Sequence, residues 1–217
     1  NTPSFMVYGN EDKYRGENIV NNVSCTSNSI IPVLKIIDEK FIIKDANFIT
    51  IHSTTASQHT MDTSKCKNRI SRSMINNIIP HTTGASSSIY KILPNLQGKV
   101  FGTSVRVPTS NVSLIDLNIR YTKKYSLGDI LNELSNHDCI QIDDNKFRVS
   151  TDYNTTSCPC IIDKKACMNM YENQVKLSIW YDNEWSYASK VILLLNHMIR
   201  YNMENNNFYE RKYFIEN

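Results

Sequence analysis

The amino-acid sequence predicts an α+β fold, a mostly antiparallel mixed sheet with flanking helices. Three observations carry this expectation. Strand-like runs follow one another in series rather than alternating one for one with helices, and the longest helical periodicities lie towards the two ends of the chain. The chain has 217 residues, 41% of them hydrophobic, which is enough to bury a core and favours one domain or at most two small ones.

Each element has its own signal. Residues 5–8 form a short apolar run before a Gly9-Asn10 turn and read as a strand. From Ser24, the apolar residues Ile30, Ile31, Val33, Leu34, Ile36, Ile37 and Phe41 recur at helical spacing, with Pro32 predicting a bend. Residues 48–52 and 100–107 read as strands, and 112–121 alternates polar positions with Ile115, Leu117 and Ile119. Between them, residues 52–80 form a long polar, basic segment expected to be an extended functional loop. Residues 126–134 predict a short helix capped by Ser126, with Asp129 three residues on. Runs at 146–151, 160–163 and 174–180 read as further strands. A long helix is expected over 184–203, with Tyr187, Val191, Leu194, Leu195 and Met198 on one face.

Composition excludes several classes. A net charge of +3, spread along the chain, predicts neither a nucleic-acid nor a membrane-surface partner. No stretch approaches the roughly 18–20 uninterrupted apolar residues of a membrane span. The first residues lack the charged-then-apolar order of a secretory leader. The chain opens at Asn1 and runs at once into apolar residues, as if entered mid-strand. Six cysteines without framework spacing read as reduced thiols; Cys158-Pro159-Cys160 with Cys167 nearby lacks the fourth ligand and second pair of a structural zinc site, so no metal is expected.

Cys25 carries the chemistry. At the mouth of a predicted helix, between Ser24 and Thr26, its thiolate is favoured by the positive end of the helix dipole and by unpaired backbone N–H groups. The same groups and hydroxyls suit an anion such as phosphate. His52 ends the next predicted strand, and a helix-then-strand return can bring a base to the thiol.

Five words then follow in order. They are Asn21-Asn22-Val23-Ser24-Cys25-Thr26-Ser27-Asn28, Ile51-His52-Ser53-Thr54-Thr55-Ala56-Ser57-Gln58, Ile78-Ile79-Pro80-His81-Thr82-Thr83-Gly84-Ala85, Arg106-Val107-Pro108-Thr109-Ser110-Asn111-Val112-Ser113 and Trp180-Tyr181-Asp182-Asn183-Glu184-Trp185. This series resembles the catalytic half of phosphorylating glyceraldehyde-3-phosphate dehydrogenases, over nearly the whole chain from about residue 3 to residue 198.

The resemblance implies that family's catalytic-domain fold, with residues 1–23 the end of a nucleotide-binding domain and its connector, 24–183 the catalytic domain and 184–217 a C-terminal helix and tail. It implies that Cys25 is the nucleophile, forming a hemithioacetal and then a thioester, and that His52 activates it. Thr55 and Arg106 match positions for the substrate's phosphate; Ser24, Thr26, Thr83 and Gly84 match positions for substrate or attacking phosphate, Gly84 allowing close backbone approach. Asn183 matches the residue holding the nicotinamide carboxamide, and Tyr187 the aromatic beside that ring. The implied reactants are glyceraldehyde 3-phosphate and inorganic phosphate, with NAD as cofactor, NADP the alternative and no metal, in a cytoplasmic homotetramer. No G-x-G-x-x-G follows a strand here, so the nucleotide-binding domain lies largely outside these residues. An apolar face of the last helix is then expected to be left with little to cover it. Two rival readings are an enzyme acting on erythrose 4-phosphate and a catalytically idle domain serving as a binding module.

The chain also departs from the family pattern. Ile70-Ser71 stand where the family often has glycines, Ser57 replaces a common Thr, Ser186 replaces a usual Gly, and no second Cys follows Cys25 by four residues.

Overall fold

The structure is a computed structural model that describes residues 2–62 and 68–205; Cys66 and the end of the chain after Asn205 lie outside them. Alternating burial along the strands builds one mixed sheet. Its strands are β1 (Ile43–His52), β2 (Ile79–His81), β3 (Val100–Arg106), β4 (Ser113–Tyr121), β5 (Ile140–Asp143), β6 (Cys160–Asp163), β7 (Met168–Tyr171) and β8 (Gln174–Tyr181). The order is β2-β3-β1-β4-β8-β6-β5, with β7 also paired to β8. Among these strands, β1 with β3 and β5 with β6 run parallel and the other pairs are antiparallel. The expected fold class is therefore the observed one.

The helices are α1 (Cys25–Phe41), α2 (Ala85–Ile92), α3 (Leu127–Leu134) and α4 (Trp185–Glu204). Apolar residues of α1, α2 and α3 share one core with the inward residues of β1, β4 and β8, such as Phe48, Ile115, Leu117, Leu177 and Ile179. The other face of the sheet carries charge, including a Lys176–Asp116 ion pair at 2.7 Å. α1 is buried on almost all sides from Thr26 to Leu34 and runs through Pro32 without interruption. α3 starts with the predicted device: Ser126 Oγ accepts from Asp129 N–H at 3.1 Å, and Asp129 Oδ2 accepts from Ser126 N–H at 2.9 Å.

Several expectations are corrected. Residues 5–8 are not a strand; the segment makes one isolated bridge, Ser4 with Asn21, and buries Phe5 and Met6 in separate clusters. Residues 146–151 are not a strand either. Asp143 and Asp152 accept from the N–H groups of Asn145 and Val149, bending the chain into turns and leaving Phe147 and Val149 exposed. The real strand there is β5. The helix α2 lies in a stretch that carried no helical expectation. On α4, Leu194 is buried, Met198 and Tyr187 are half-buried, but Val191 and Leu195 are exposed. The buried stripe is shifted to Ser186, Lys190, Leu194 and Asn202, because Phe5 and Tyr14 of the N-terminal segment pack against Leu194. Trp185, Ile192, Leu193, Leu195 and Ile199 form the exposed apolar face that was expected.

Gly102 sits at one tight point. A Cβ there would lie 2.1 Å from Phe48 Cζ, in a core position where the ring is itself 2% exposed. Gly102→Ala is expected to destabilise the fold by about 1–3 kcal/mol, read as a lower urea midpoint at an unchanged slope; an unshifted midpoint would show that the ring yields freely.

Candidate active site

The site begins with a cap. Ser24 has extended backbone, and its Oγ accepts from Ser27 N–H at 3.1 Å, so α1 starts at Cys25. Val23, just upstream, has φ +51°, a strained setting for a β-branched residue that turns the chain sharply into the helix. Cys25 Sγ then lies 3.4 Å from His52 Nε2, so the two residues singled out in the sequence meet.

His52 is delivered by the end of β1, and the parallel register of β1 with β3 sets it beside Arg106. Arg106 Nη1 stands 2.5 Å from His52 Nδ1 and donates to Ser53 O at 3.1 Å. A guanidinium has no lone pair, so in this contact Nδ1 accepts and the neutral ring carries its proton on Nε2, facing Cys25. Nδ1 is also 2.9 Å from Ser53 O, which can only accept. The two neighbours of Nδ1 therefore call for opposite tautomers, one with Nε2–H towards Cys25 and one with the Nε2 lone pair towards it.

Electrostatics follow from burial. His52 is pushed down to about 4, first by burial and then by the Arg106 charge, with the Ser53 carbonyl opposing. Burial pushes the Cys25 thiol up, while the Thr26 backbone N–H, the Thr26 hydroxyl and Arg106 pull it down. The expected help from the helix start is present, but burial outweighs it. Burial also lowers Arg106, whose Nε is buried without a hydrogen-bond partner; among the described residues no carboxylate pairs with it.

A second group frames these three. Tyr181 hydroxyl lies 2.9 Å from Thr26 Oγ1 and 2.9 Å from Thr50 Oγ1, and its ring stands edge-on to His52. Asn183 Oδ1 accepts from the Ser53 and Ser113 hydroxyls, each at 2.8 Å, and Ser113 Oγ accepts from Ser53 N–H at 3.1 Å. Both serines are wholly buried. With Oδ1 filled, the free valence of Asn183 is its N–H pair. Asp182, fully buried, accepts from the N–H groups of Glu184 and Trp185 at 2.9 and 2.8 Å and so starts α4; its other oxygen accepts from Asn111 Nδ2 and Thr155 N–H. Tyr187, half-buried on the first turn of α4, is raised by burial and then by the charge of Cys25.

The remaining sequence candidates hold to their own turns. Thr55 N–H donates to Gln58 Oε1 at 3.1 Å, and its hydroxyl meets Ser57 Oγ at 3.0 Å. Thr83 Oγ1 accepts from Ala85 N–H at 3.2 Å. Gly84 has φ −80°, and a Cβ there would meet nothing within 4 Å, so no group of this chain requires a glycine. Tyr181, Thr50, Ser53, Ser113 and Asp182 were missed as site residues. Thr50 and Ser113 had a signal, since period-2 alternation puts them on the inward faces of β1 and β4. Among the described residues no group of His, Cys, Asp or Glu side chains is placed to hold a metal ion.

Residues 24–183 match the family model described as glyceraldehyde 3-phosphate dehydrogenase, C-terminal domain. The chain is 40% identical over 204 residues to the glyceraldehyde-3-phosphate dehydrogenase of Buchnera aphidicola subsp. Schizaphis graminum, an alignment covering 89% of this chain and 60% of that protein. It is 41% identical over 207 residues to glyceraldehyde-3-phosphate dehydrogenase A of Escherichia coli K12, covering 91% and 62%, and equally to the Salmonella typhimurium enzyme. The chain therefore spans about 60% of the length of the curated relatives it matches.

A neutral, buried His52 makes a prediction about stability. Its folded pKa is depressed from 6.5 to about 4, so between these values the unfolded chain binds more protons. Its contribution is complete above 6.5 and is lost as pH falls towards 4, amounting to about 3 kcal/mol at full extent. Urea unfolding at a series of pH values is expected to give a shallower acid limb for His52→Gln. An equally steep limb would mean that His52 is not held neutral.

Proposed function

The chain belongs to the glyceraldehyde-3-phosphate dehydrogenase family, and on that premise we propose that it is the catalytic part of a cytoplasmic, homotetrameric glycolytic dehydrogenase. The proposed reaction is the NAD-dependent oxidation of D-glyceraldehyde 3-phosphate with inorganic phosphate to 1,3-bisphosphoglycerate. One observation carries the reading: a half-buried thiol 3.4 Å from a neutral histidine, with a cation behind that ring and no competing carboxylate among the described residues. The proposed division of the chain is 1–23 as the end of a nucleotide-binding domain and its connector, 24–183 as catalytic domain and 184–217 as C-terminal helix and tail.

The geometry supports the following proposed steps. The substrate's phosphate draws on Arg106 and the Thr55 hydroxyl, a forked cation and a donor suited to an oxyanion. As Arg106 turns to the phosphate, His52 Nδ1 takes the proton and donates to Ser53 O, and Nε2 becomes the base facing Cys25. Cys25 Sγ adds to the aldehyde carbon as its proton passes to His52, which returns it to the developing alkoxide to complete a hemithioacetal. His52 then removes the hydroxyl proton as the carbon loses hydride, leaving a thioester on Cys25. Inorganic phosphate, held by Ser24, the Thr26 N–H, Thr83 and Gly84, attacks the thioester carbonyl, and Cys25 leaves as thiolate to take back a proton. NAD, or NADP, supplies the hydride acceptor when bound. The residues present suit it: Asn183 offers two N–H donors to a carboxamide oxygen, and Tyr187 a half-buried ring on the first turn of α4.

Two measurements test this. The full-length gene product is expected to reduce NAD with glyceraldehyde 3-phosphate in a phosphate-dependent way, and Cys25→Ser to abolish it; higher kcat/KM on erythrose 4-phosphate would favour that enzyme instead, and no turnover on either would favour an idle binding module. Replacing both Ser53 and Ser113 by Ala frees Asn183 to turn and is expected to raise KM for NAD about tenfold, as for a loss of one or two hydrogen bonds, with little change in KM for the aldehyde. An unaltered KM for NAD would count against Asn183 as the carboxamide contact.

A further inference from the structure

The face of the sheet that carries Cys25 and His52 holds another histidine, which the steps above leave unused. His81 ends β2. In the antiparallel pairing of β2 with β3 it stands opposite Ser104, and in the parallel pairing of β1 with β3 Ser104 stands opposite Thr50. Residues opposite one another in neighbouring strands share a face, so His81, Ser104 and Thr50 form one row, and Ile79, Arg106 and His52 the next. Burial agrees, since Ile79, Ser104, Thr50 and His52 are buried while Pro80, between Ile79 and His81, is exposed. Two strand spacings, about 10 Å, separate His81 from Thr50. Between them stands the small side chain of Ser104.

His81 has the same local hook as His52. Its Nδ1 lies 2.6 Å from Thr82 O, as His52 Nδ1 lies 2.9 Å from Ser53 O, each the carbonyl of the next residue. A carbonyl can only accept, so Nδ1 of His81 carries a proton, and in the neutral ring the lone pair is on Nε2. Among the described residues this Nε2 makes no hydrogen bond. The ring is half-buried and, with Thr82 and Arg69, lines a cavity of about 450 Å³. Two residues on, Thr83 and Gly84 form the turn proposed above to hold the attacking phosphate, so an acceptor stands beside the donors of that turn. Monohydrogen phosphate calls for both, because it keeps an O–H among its oxyanion oxygens. Burial, Arg106 and, last, His81 lower His52, in keeping with two rings on one face.

We propose, on the premise of the reaction given above, that His81 is a further catalytic residue, whose Nε2 holds inorganic phosphate and takes its proton as it attacks the thioester. An unprotonated oxygen of monohydrogen phosphate forms a bond to the thioester carbonyl carbon. The C–S bond breaks, Cys25 leaves as thiolate, and the phosphate O–H passes its proton to His81 Nε2. The acyl phosphate departs without that proton, and His81 returns it to water. One O–C bond replaces one S–C bond, and nothing is oxidised or reduced in the step.

The test uses the full-length gene product and two substitutions. His81→Asn keeps an amide N–H for Thr82 O and lacks Nε2. His81→Gln keeps an amide at the place of Nε2 and cannot take a proton. His81→Asn is expected to lower kcat/KM for phosphate about a hundredfold. The burst of NADH from the first turnover is expected to keep its rate, because phosphate enters after hydride transfer. An unchanged kcat/KM for phosphate, or a burst slowed as much as the steady state, would overturn the proposal. A second readout needs no turnover. Inorganic phosphate is expected to protect Cys25 from iodoacetate, with a Kd about tenfold weaker in His81→Asn, as for one lost hydrogen bond, and unchanged in His81→Gln. Protection that depends on His81 without turnover of any aldehyde would strike the dehydrogenase reading alone; equal protection in wild type and His81→Asn would strike the role of His81.

Discussion

The buried hydroxyl of Tyr181 ties together the elements on which the site depends. It joins the first turn of α1 through Thr26 and the last turn-out of β1 through Thr50, while its own strand β8 lies one strand away from β1 across β4. A wholly buried phenol needs both partners, because leaving either polar atom unpaired costs about 1–3 kcal/mol. The same requirement works in reverse on α1 and β1, whose threonines are also buried. The relative position of Cys25 and His52 is therefore held by a satisfied polar network within an apolar core, and a slip of either element would break several hydrogen bonds at once.

Burial also sets the chemistry. It holds His52 neutral and keeps the Cys25 thiol from ionising freely, so the helix start and Arg106 act as partial counterweights. Arg106 Nη1 and Ser53 O both stand within hydrogen-bonding distance of His52 Nδ1, and these two neighbours call for opposite tautomers of the ring that faces the sulfur. In the second layer, Ser53 and Ser113 fill one side of the Asn183 amide, and Asp182 spends both oxygens on backbone and amide donors, which fixes the start of α4. α4 then runs on with an exposed apolar face, while its buried stripe of Ser186, Lys190, Leu194 and Asn202 faces the rest of the chain.

The helices capped by Ser24 and Ser126, and most strands, could be read because each is signalled by neighbours in the sequence: a cap, a 3.6-residue or two-residue period, a turn residue. Failures came where apolar content competed with local side-chain hydrogen bonds or lacked a partner strand. Phe147 and Val149 have strand character, yet Asp143 and Asp152 capture the nearby N–H groups. Phe5 and Met6 are apolar because they pack on helices and not because they pair. On α4 the period was right and the phase wrong, since the buried side was chosen by Tyr14 and Phe5, far away in the sequence.

For the site, the sequence by itself determined which residues can do chemistry: a thiol at a helix start, a histidine at a strand end, an arginine in a later strand and an asparagine before the last helix. These are matters of residue type and local geometry, and resemblance to a known family put them in one list. Their contacts were a tertiary matter. The 3.4 Å approach of Cys25 to His52 requires the β1–β3 register and the packing of α1 on the sheet, neither of which is encoded by near neighbours. The same holds for the direction of each pKa shift, because the helix start favours the thiolate in any context, whereas burial, which here outweighs it, exists only once the chain has folded around the site.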